Sequence, residues 1–172
     1  MRLRLQIALC SSSNVNLQRR PLLILDLDET LIHGSDVRLH READFRVGPY
    51  HVYVRPHLEE FLSIASELFE LAIWSSATAD YVGLIARKIG CMVPNWEFVW
   101  SRARCVQRMH PEFMEAYYIK DLEKVKRFGY PLERVLVVDD TPLKLCRNYG
   151  NATNESGDLG FFGFTIRFGF SR

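Results

Sequence analysis

The chain is 172 residues long, the size of one ordinary domain and enough to bury roughly two thirds of the surface its unfolded form exposes, so one core is expected. Its composition is 48% hydrophobic and 25% charged with a formal net charge of +1, which describes a soluble globular protein and excludes a general electrostatic attraction to nucleic acid. Cys10, Cys91, Cys105 and Cys146 lack any paired short spacing and read as reduced thiols of an intracellular protein, cytoplasmic or nuclear.

In chain order, residues 1–20 hold Arg2, Arg4, Arg19, Arg20 and the run Ser11 to Ser13 without an acid. This faintly resembles a transit peptide, but Arg4 and Gln6 interrupt any apolar segment, and the stretch reads as a disordered polar leader. Pro21 to Leu27 is a nearly continuous apolar run, which predicts a strand buried on both faces at the centre of a parallel sheet. Phe45 to Val54 predicts a hairpin turning at Gly48-Pro49. Pro56 is expected to open a helix in which Leu58, Phe61, Leu62, Ala65 and Leu68 recur at helical spacing, and Leu71 to Trp74 reads as a second strand. A helix from about Thr78 to Ile89 follows, with Gly90 placed for a left-handed cap. Trp96 to Val106 is rich in strand formers and reads as a small β insertion outside the main alternation. Asp121 to Phe128 predicts a helix ending at Gly129, and Arg134 to Val138 a further buried strand. No apolar run is long enough to cross a bilayer. Strands alternating with helices imply an α/β, Rossmann-like fold with a central parallel sheet, whose ligands sit beyond the carboxyl ends of the strands.

The chemistry is concentrated at such strand ends. Asp26-Leu27-Asp28-Glu29-Thr30 closes the first buried strand, and residues two apart in extended chain face the same side. Two carboxylates with one facing can divide labour, one attacking phosphorus while the other, protonated, delivers a proton to the leaving oxygen. Asp139-Asp140 closes the strand Val135 to Val138. If the two strands are neighbours, four carboxylates converge, and the remedy for their mutual repulsion is a hard divalent cation, for which all-oxygen ligands favour Mg²⁺. Zinc is disfavoured, because His33, His40, His51, His57 and His110 do not cluster with the cysteines at metal-ligand spacings. Ser75 follows a strand and precedes a helix, where its hydroxyl and nearby N–H groups suit phosphoryl oxygens, although it would equally suit an ordinary cap. Lys120 supplies the compact positive charge wanted opposite a phosphoryl group and a row of acids.

Taken in order, Asp-x-Asp-x-Thr at Asp26, Ser75, Lys120 and Asp139-Asp140 resemble the four motifs of the haloacid dehalogenase superfamily. Leu25 to Leu31, Val54-Arg-Pro-His-Leu-Glu-Glu-Phe61, Tyr118-Ile-Lys-Asp121 and Asn148-Tyr-Gly-Asn151 are similar to its C-terminal-domain phosphatase, or NLI-interacting-factor-like, branch from about Pro21 to Ala152. The resemblance implies a domain over 21–152 in which Asp26 is the nucleophile, Asp28 the general acid and base, and Thr30 a supporting, substrate-side residue. It further implies that Ser75 binds phosphate and Lys120 stabilises the phosphoryl charge. Mg²⁺ would be held by Asp26, the backbone carbonyl of Asp28 and Asp140, with Asp139 behind them steadying Lys120. The family often carries Asn at the position of Asp140. After Ala152 the chain departs from the pattern, since Gly157, Gly160, Gly163 and Gly169 interleave with Phe161, Phe162, Phe164, Phe168 and Phe170 in a tail, 153–172, whose glycine density opposes a helix.

The resemblance implies dephosphorylation of phosphoserine or phosphothreonine in proteins. Leu31 to Tyr53 and Asp121 to Arg134 are short for a large cap domain, which leaves an open crevice suited to large substrates. Trp96, Phe98 and Trp100 are candidates for a docking wall on such a crevice, or for packing against the body of the domain. A small-molecule or phospholipid phosphatase of the same fold, and a non-catalytic binding module, are the alternatives.

Overall fold

The computed structural model describes residues 19–153 apart from 94, 111, 113, 149 and 151. The expected leader up to residue 18, the tail after 153, Cys10, and Tyr149 and Asn151 of the Asn-Tyr-Gly-Asn stretch lie outside the described residues.

The apolar run after Pro21 forms β1 (Leu22–Leu25), every residue of which is buried. It is flanked by β5 (Glu70–Trp74) and β9 (Val135–Val138), both parallel to it, with Leu25 level with Ile73 on one side and Val138 on the other. Beyond them lie β6 (Val99–Trp100) and β10 (Ala152–Thr153), giving the order β10-β9-β1-β5-β6 with every pairing parallel. Because alternate residues of a strand point to opposite faces, this sheet separates two cores. Leu23, Leu25, Leu71 and Ile73 pack with α1 (Leu58–Leu68) and α2 (Ala79–Ile89), while Leu22, Ile24, Ala72, Trp74 and Val137 pack with Leu122, Val125 and Tyr130 around α3 (Glu123–Arg127). The fold is α/β with helices on both faces of a parallel sheet, as expected.

The predicted hairpin is present as β3 (Phe45–Val47) and β4 (Tyr50–Val54), turning at Gly48 with φ 57°, where glycine carries no steric cost. With β2 (Ile32–Ser35) it makes a separate antiparallel sheet ordered β2-β4-β3. This sheet lies between β1 and α1, a segment in which the sequence predicts no separate sheet beyond the hairpin, and among the described residues no larger cap is interposed there.

Three local expectations change. The segment Trp96 to Val106 is not an insertion: β6 pairs with β5 in parallel and forms the edge of the main sheet. Phe98 and Trp100 are interior, each 7% exposed, and the half-buried Trp96 packs against the core on the other face, so the docking-wall alternative gives way to packing. Phe98 stacks on Trp100 at 4.0 Å, Trp74 meets Trp100 edge-on at 5.0 Å, and Phe128 closes over both rings. Gly90 is right-handed at φ −66° and continues into a short 3₁₀ turn, Gly90–Met92, so α2 does not end in a left-handed cap. Helix α1 begins at Leu58, two residues after Pro56, because His57 at φ 63° holds a left-handed turn before it.

Trp100→Ala is expected to cost about 3–5 kcal/mol of stability, the range for deleting a large buried aromatic. Urea unfolding followed by circular dichroism checks this, and a loss below about 1 kcal/mol would mean the indole is not part of the core.

Candidate active site

The register places three strand ends level. Asp26 continues β1 by one residue and its amide donates to Val138 O at 3.0 Å, which sets Asp26 beside Asp139. On the other side Ser75 follows β5, its amide bonded to Trp100 O at 2.9 Å. The sequence brings these residues together because three short buried strands all run out at the same edge, where parallel sheets bind ligands.

Lys120 follows β8 (Ala116–Ile119), which pairs in a hairpin with β7 (Val106–Met109). Its side chain is wholly buried and its Nζ donates to Asp26 Oδ1 at 2.8 Å and Asp139 Oδ2 at 2.6 Å. Asp139 Oδ1 accepts the amide of Thr141 at 2.9 Å. Ser75 is 1% exposed and its Oγ accepts the Ala77 amide at 3.0 Å, an arrangement that fixes the hydroxyl at the head of the loop into α2.

Two residues not singled out from the sequence join this set. Lys144 lies on a 3₁₀ turn, Pro142–Leu145, and its Nζ reaches Asp26 Oδ2 at 2.9 Å, Asp140 Oδ1 at 3.1 Å and Asp139 Oδ1 at 3.2 Å. A lysine four residues after an acid, behind a turn-forming Thr-Pro, was the available signal. Tyr81, in the first turn of α2, donates its hydroxyl to Asp28 Oδ1 at 2.8 Å. Nothing in the local sequence marks it; the pairing spans 53 residues.

The loop carrying Asp28 is held from below. Glu29 adopts φ 58°, and the Leu27 carbonyl accepts the amides of Leu31 at 2.8 Å and Ile32 at 3.1 Å. Arg55, 3% exposed, donates Nε to Thr30 O at 2.6 Å and an Nη to Glu29 O at 2.7 Å. The Thr30 hydroxyl is buried without a hydrogen-bond partner among the described residues.

These surroundings divide the acids. Burial pushes Asp26 upward, but Lys120 and Lys144 together outweigh it and hold its carboxyl below the ordinary range. Burial pushes Asp28 up; the Tyr81 hydrogen bond opposes this in part and the negative charge of Asp26 adds to it. An ionised carboxylate beside one that keeps its proton longer is the pairing required for a nucleophile and a proton donor. Burial likewise depresses the Lys144 ammonium, yet Asp26 and Asp139 prevail and its affinity for the proton is raised.

Asp26, Asp139 and Asp140 each offer an oxygen, and these lie within 4.8 Å of one another. The donors are hard carboxylates, and Asp140 is 29% exposed, so the set suits a hard divalent cation approached from solvent. The Asp28 side chain is not in this group and is turned to Tyr81 instead.

Comparison with known proteins then places the chain. Residues 21–154 match the NLI interacting factor-like phosphatases. The chain belongs to that family. It is 34% identical over 137 residues to the human carboxy-terminal domain RNA polymerase II polypeptide A small phosphatase 1, covering 76% of this chain and 49% of that protein. It is 31% identical over 140 residues to Phosphatase Herzog of Drosophila melanogaster, covering 77% of this chain and 37% of the relative. The chain thus spans less than half the length of these two NLI interacting factor-like relatives. The fission yeast RNA polymerase II CTD phosphatase Fcp1 bound to beryllium fluoride shares the fold, with a TM-score of 0.56 at 22% identity over 84% of this chain and 43% of that one.

Lys120→Met is expected to cost about 3–5 kcal/mol near neutral pH, because it leaves buried carboxylates short of a counter-charge. Asp26, whose folded carboxyl titrates below its unfolded value, contributes stability above the ordinary aspartate range near 4, and that contribution fades as pH falls through the folded value. The gap between wild type and Lys120→Met should therefore narrow on acidification. Urea unfolding at a series of pH values checks it, and a pH-independent gap contradicts the ion-pair account.

Proposed function

We propose that this chain is a phosphatase that uses Mg²⁺ and an aspartyl-phosphate intermediate on Asp26 to remove phosphate from phosphoserine or phosphothreonine in proteins. The observation that carries the reading is the contrast between Asp26, ionised between two ammonium groups, and Asp28, two residues on, whose burial favours the protonated form.

In this mechanism a carboxylate oxygen of Asp26 attacks phosphorus, the bond to the ester oxygen breaks, and Asp28 gives its proton to that leaving oxygen. Water then attacks the phosphoryl group, Asp28 takes up the proton, and phosphate leaves with Asp26 regenerated. Lys120 stabilises the charge that builds on the phosphoryl oxygens and keeps Asp26 oriented, while Ser75 and the N–H groups at the head of α2 bind those oxygens. Asp26, Asp140 and the backbone carbonyl of Asp28 would hold the metal, with Asp139 supporting Lys120. The bound metal supplies charge neutralisation and orientation of the phosphoryl group. Thr30 contributes through the shape of its loop.

A protein substrate is supported by the small insertion sheet, which leaves the crevice uncapped among the described residues, and by the names of the relatives. With Phe98 and Trp100 turned inward, an exposed cation near Ser75 is Arg102, whose amide bonds Ala77 O at 2.9 Å. Cations suit a phosphorylated or acidic peptide. The formal net charge of +1 gives nucleic acid no comparable attraction. No helix among the described residues is long and apolar enough to cross a membrane, and Cys91, Cys105 and Cys146 are free thiols, which supports a reducing, intracellular setting. The intact set of acids and lysines argues against a non-catalytic module.

Asp26→Asn should lower turnover of an aryl phosphate by about 10⁴-fold or more with the fold retained, and wild-type-like turnover would remove the covalent mechanism. Asp28→Asn should reduce kcat far more for alkyl than for aryl phosphates, since good leaving groups need less protonation. Phosphoserine peptides should exceed free phosphoserine and sugar phosphates in kcat/KM. A sugar phosphate processed faster than every peptide tried would transfer the assignment to the small-molecule alternative.

A further inference from the structure

Lys144 helps keep Asp26 ionised but has no part in the steps of the proposed mechanism. Its ammonium lies 2.9 to 3.2 Å from one oxygen of each of Asp26, Asp139 and Asp140. Those same three residues form the acidic group whose oxygens converge within 4.8 Å. A hard divalent ion such as Mg²⁺ sits about 2.1 Å from its ligand oxygens. An ammonium in this position competes with such an ion, because both claim oxygens of the same three carboxylates and repel each other at a few ångströms.

The two lysines of the site differ in the freedom to leave. Lys120 is 0% exposed and its side chain has no way out, whereas Lys144 is 17% exposed. The Lys144 backbone is fixed, its amide donating to Thr141 O at 3.0 Å and its carbonyl accepting the Lys120 amide at 2.7 Å. Exchange with a metal is therefore a movement of the flexible four-carbon side chain alone. It also has a driving force, since a divalent ion brings one charge more than the ammonium it replaces. The exchange bears on chemistry too: with Lys120 on Oδ1 and Lys144 on Oδ2, both oxygens of Asp26 are engaged.

We propose that Lys144 is a tethered cation that takes the metal's place beside Asp26 and swings out when the metal binds, so that it positions the nucleophile in the metal-free protein and sets the metal affinity of the site. This rests on the metal-dependent reading above. A protein in which Lys144 is seated nine-tenths of the time binds metal about tenfold more weakly than one lacking the competitor.

The test uses Mn²⁺ as the probe, read by the loss of its free-ion electron paramagnetic resonance signal without substrate. Lys144→Met, which keeps length and removes charge, should bind Mn²⁺ about tenfold or more tightly than wild type. Lys126→Met, at an exposed lysine paired with Glu123, should bind as wild type does. In wild type, reductive methylation mapped by mass spectrometry should leave Lys144 protected without metal and labelled at saturating Mn²⁺, with Lys120 protected in both. Equal or weaker Mn²⁺ binding by folded Lys144→Met overturns the inference while leaving metal dependence standing. If Lys144→Met does not fold without metal, methylation decides, and Lys144 labelling that Mn²⁺ leaves unchanged overturns the inference. Failure of wild type and variant alike to bind Mn²⁺ overturns both the inference and the metal-dependent function.

Discussion

A lysine with no exposure to solvent is the constraint around which this domain is arranged. Taking an ammonium and its carboxylate partners out of water costs several kcal/mol per ion unless geometry and hydrogen bonding compensate. Lys120 meets that demand with two carboxylates, Asp26 from the end of β1 and Asp139 from the end of β9. Each acid is in turn compensated by this ammonium, with Lys144 adding a second contact to both. The pair of strands must therefore be neighbours in register, and the β7–β8 hairpin must deliver residue 120 over their ends. The backbone bond from the Lys120 amide to Lys144 O ties that delivery to the turn following Asp140. Sheet order, hairpin and turn are thus held to one ammonium position.

Asp28 is placed by a second, independent set of contacts. Arg55 grips the carbonyls of Glu29 and Thr30 from beneath, so the loop keeps a shape that includes a left-handed glutamate. From above, Tyr81 reaches across from α2, with its ring edge-on to Tyr50 at 5.7 Å. The space for that hydroxyl depends on Gly34: a Cβ there would lie 2.7 Å from the Tyr81 oxygen. The insertion sheet therefore does more than fill a connection. Its β2 strand needs a residue without a side chain where α2 brings its tyrosine to the acid.

What was legible in the sequence follows from the range of each interaction. β1, β5 and β9 are short apolar runs bounded by turn residues, and their burial on both faces is written locally, as are Asp26, Asp28, Asp139 and Asp140 at their ends. Lys120 was legible through the family motif. The β6 strand was misassigned because two residues cannot display a period, and aromatics packed in an edge core have the same local signature as aromatics on a surface. Lys144 and Tyr81 were missed for different reasons. The first is one lysine in a turn, where solvent is the usual destination, and only the converging acids retain it. The second depends on a helix and a loop meeting across 53 residues, which no window reports.

Asp26 and Asp28, two residues apart, are shifted in opposite directions from the ordinary aspartate range. Two carboxylates facing one crevice repel, and left alone they would share a proton without distinction. Here the surroundings break the symmetry by the kind of partner given to each. Asp26 receives charged donors on both oxygens, which reward ionisation strongly in a buried setting. Asp28 receives a neutral phenol on Oδ1, whose own ionisation is suppressed by burial and by Asp28 itself, so the tyrosine remains a donor and never a counter-ion. A hydroxyl steadies a carboxyl group in either protonation state, whereas an ammonium strongly favours the charged one. A lysine at position 81 would hold Asp28 equally still and favour its ionised form. The neutrality of the partner is therefore as much a requirement on α2 as its reach.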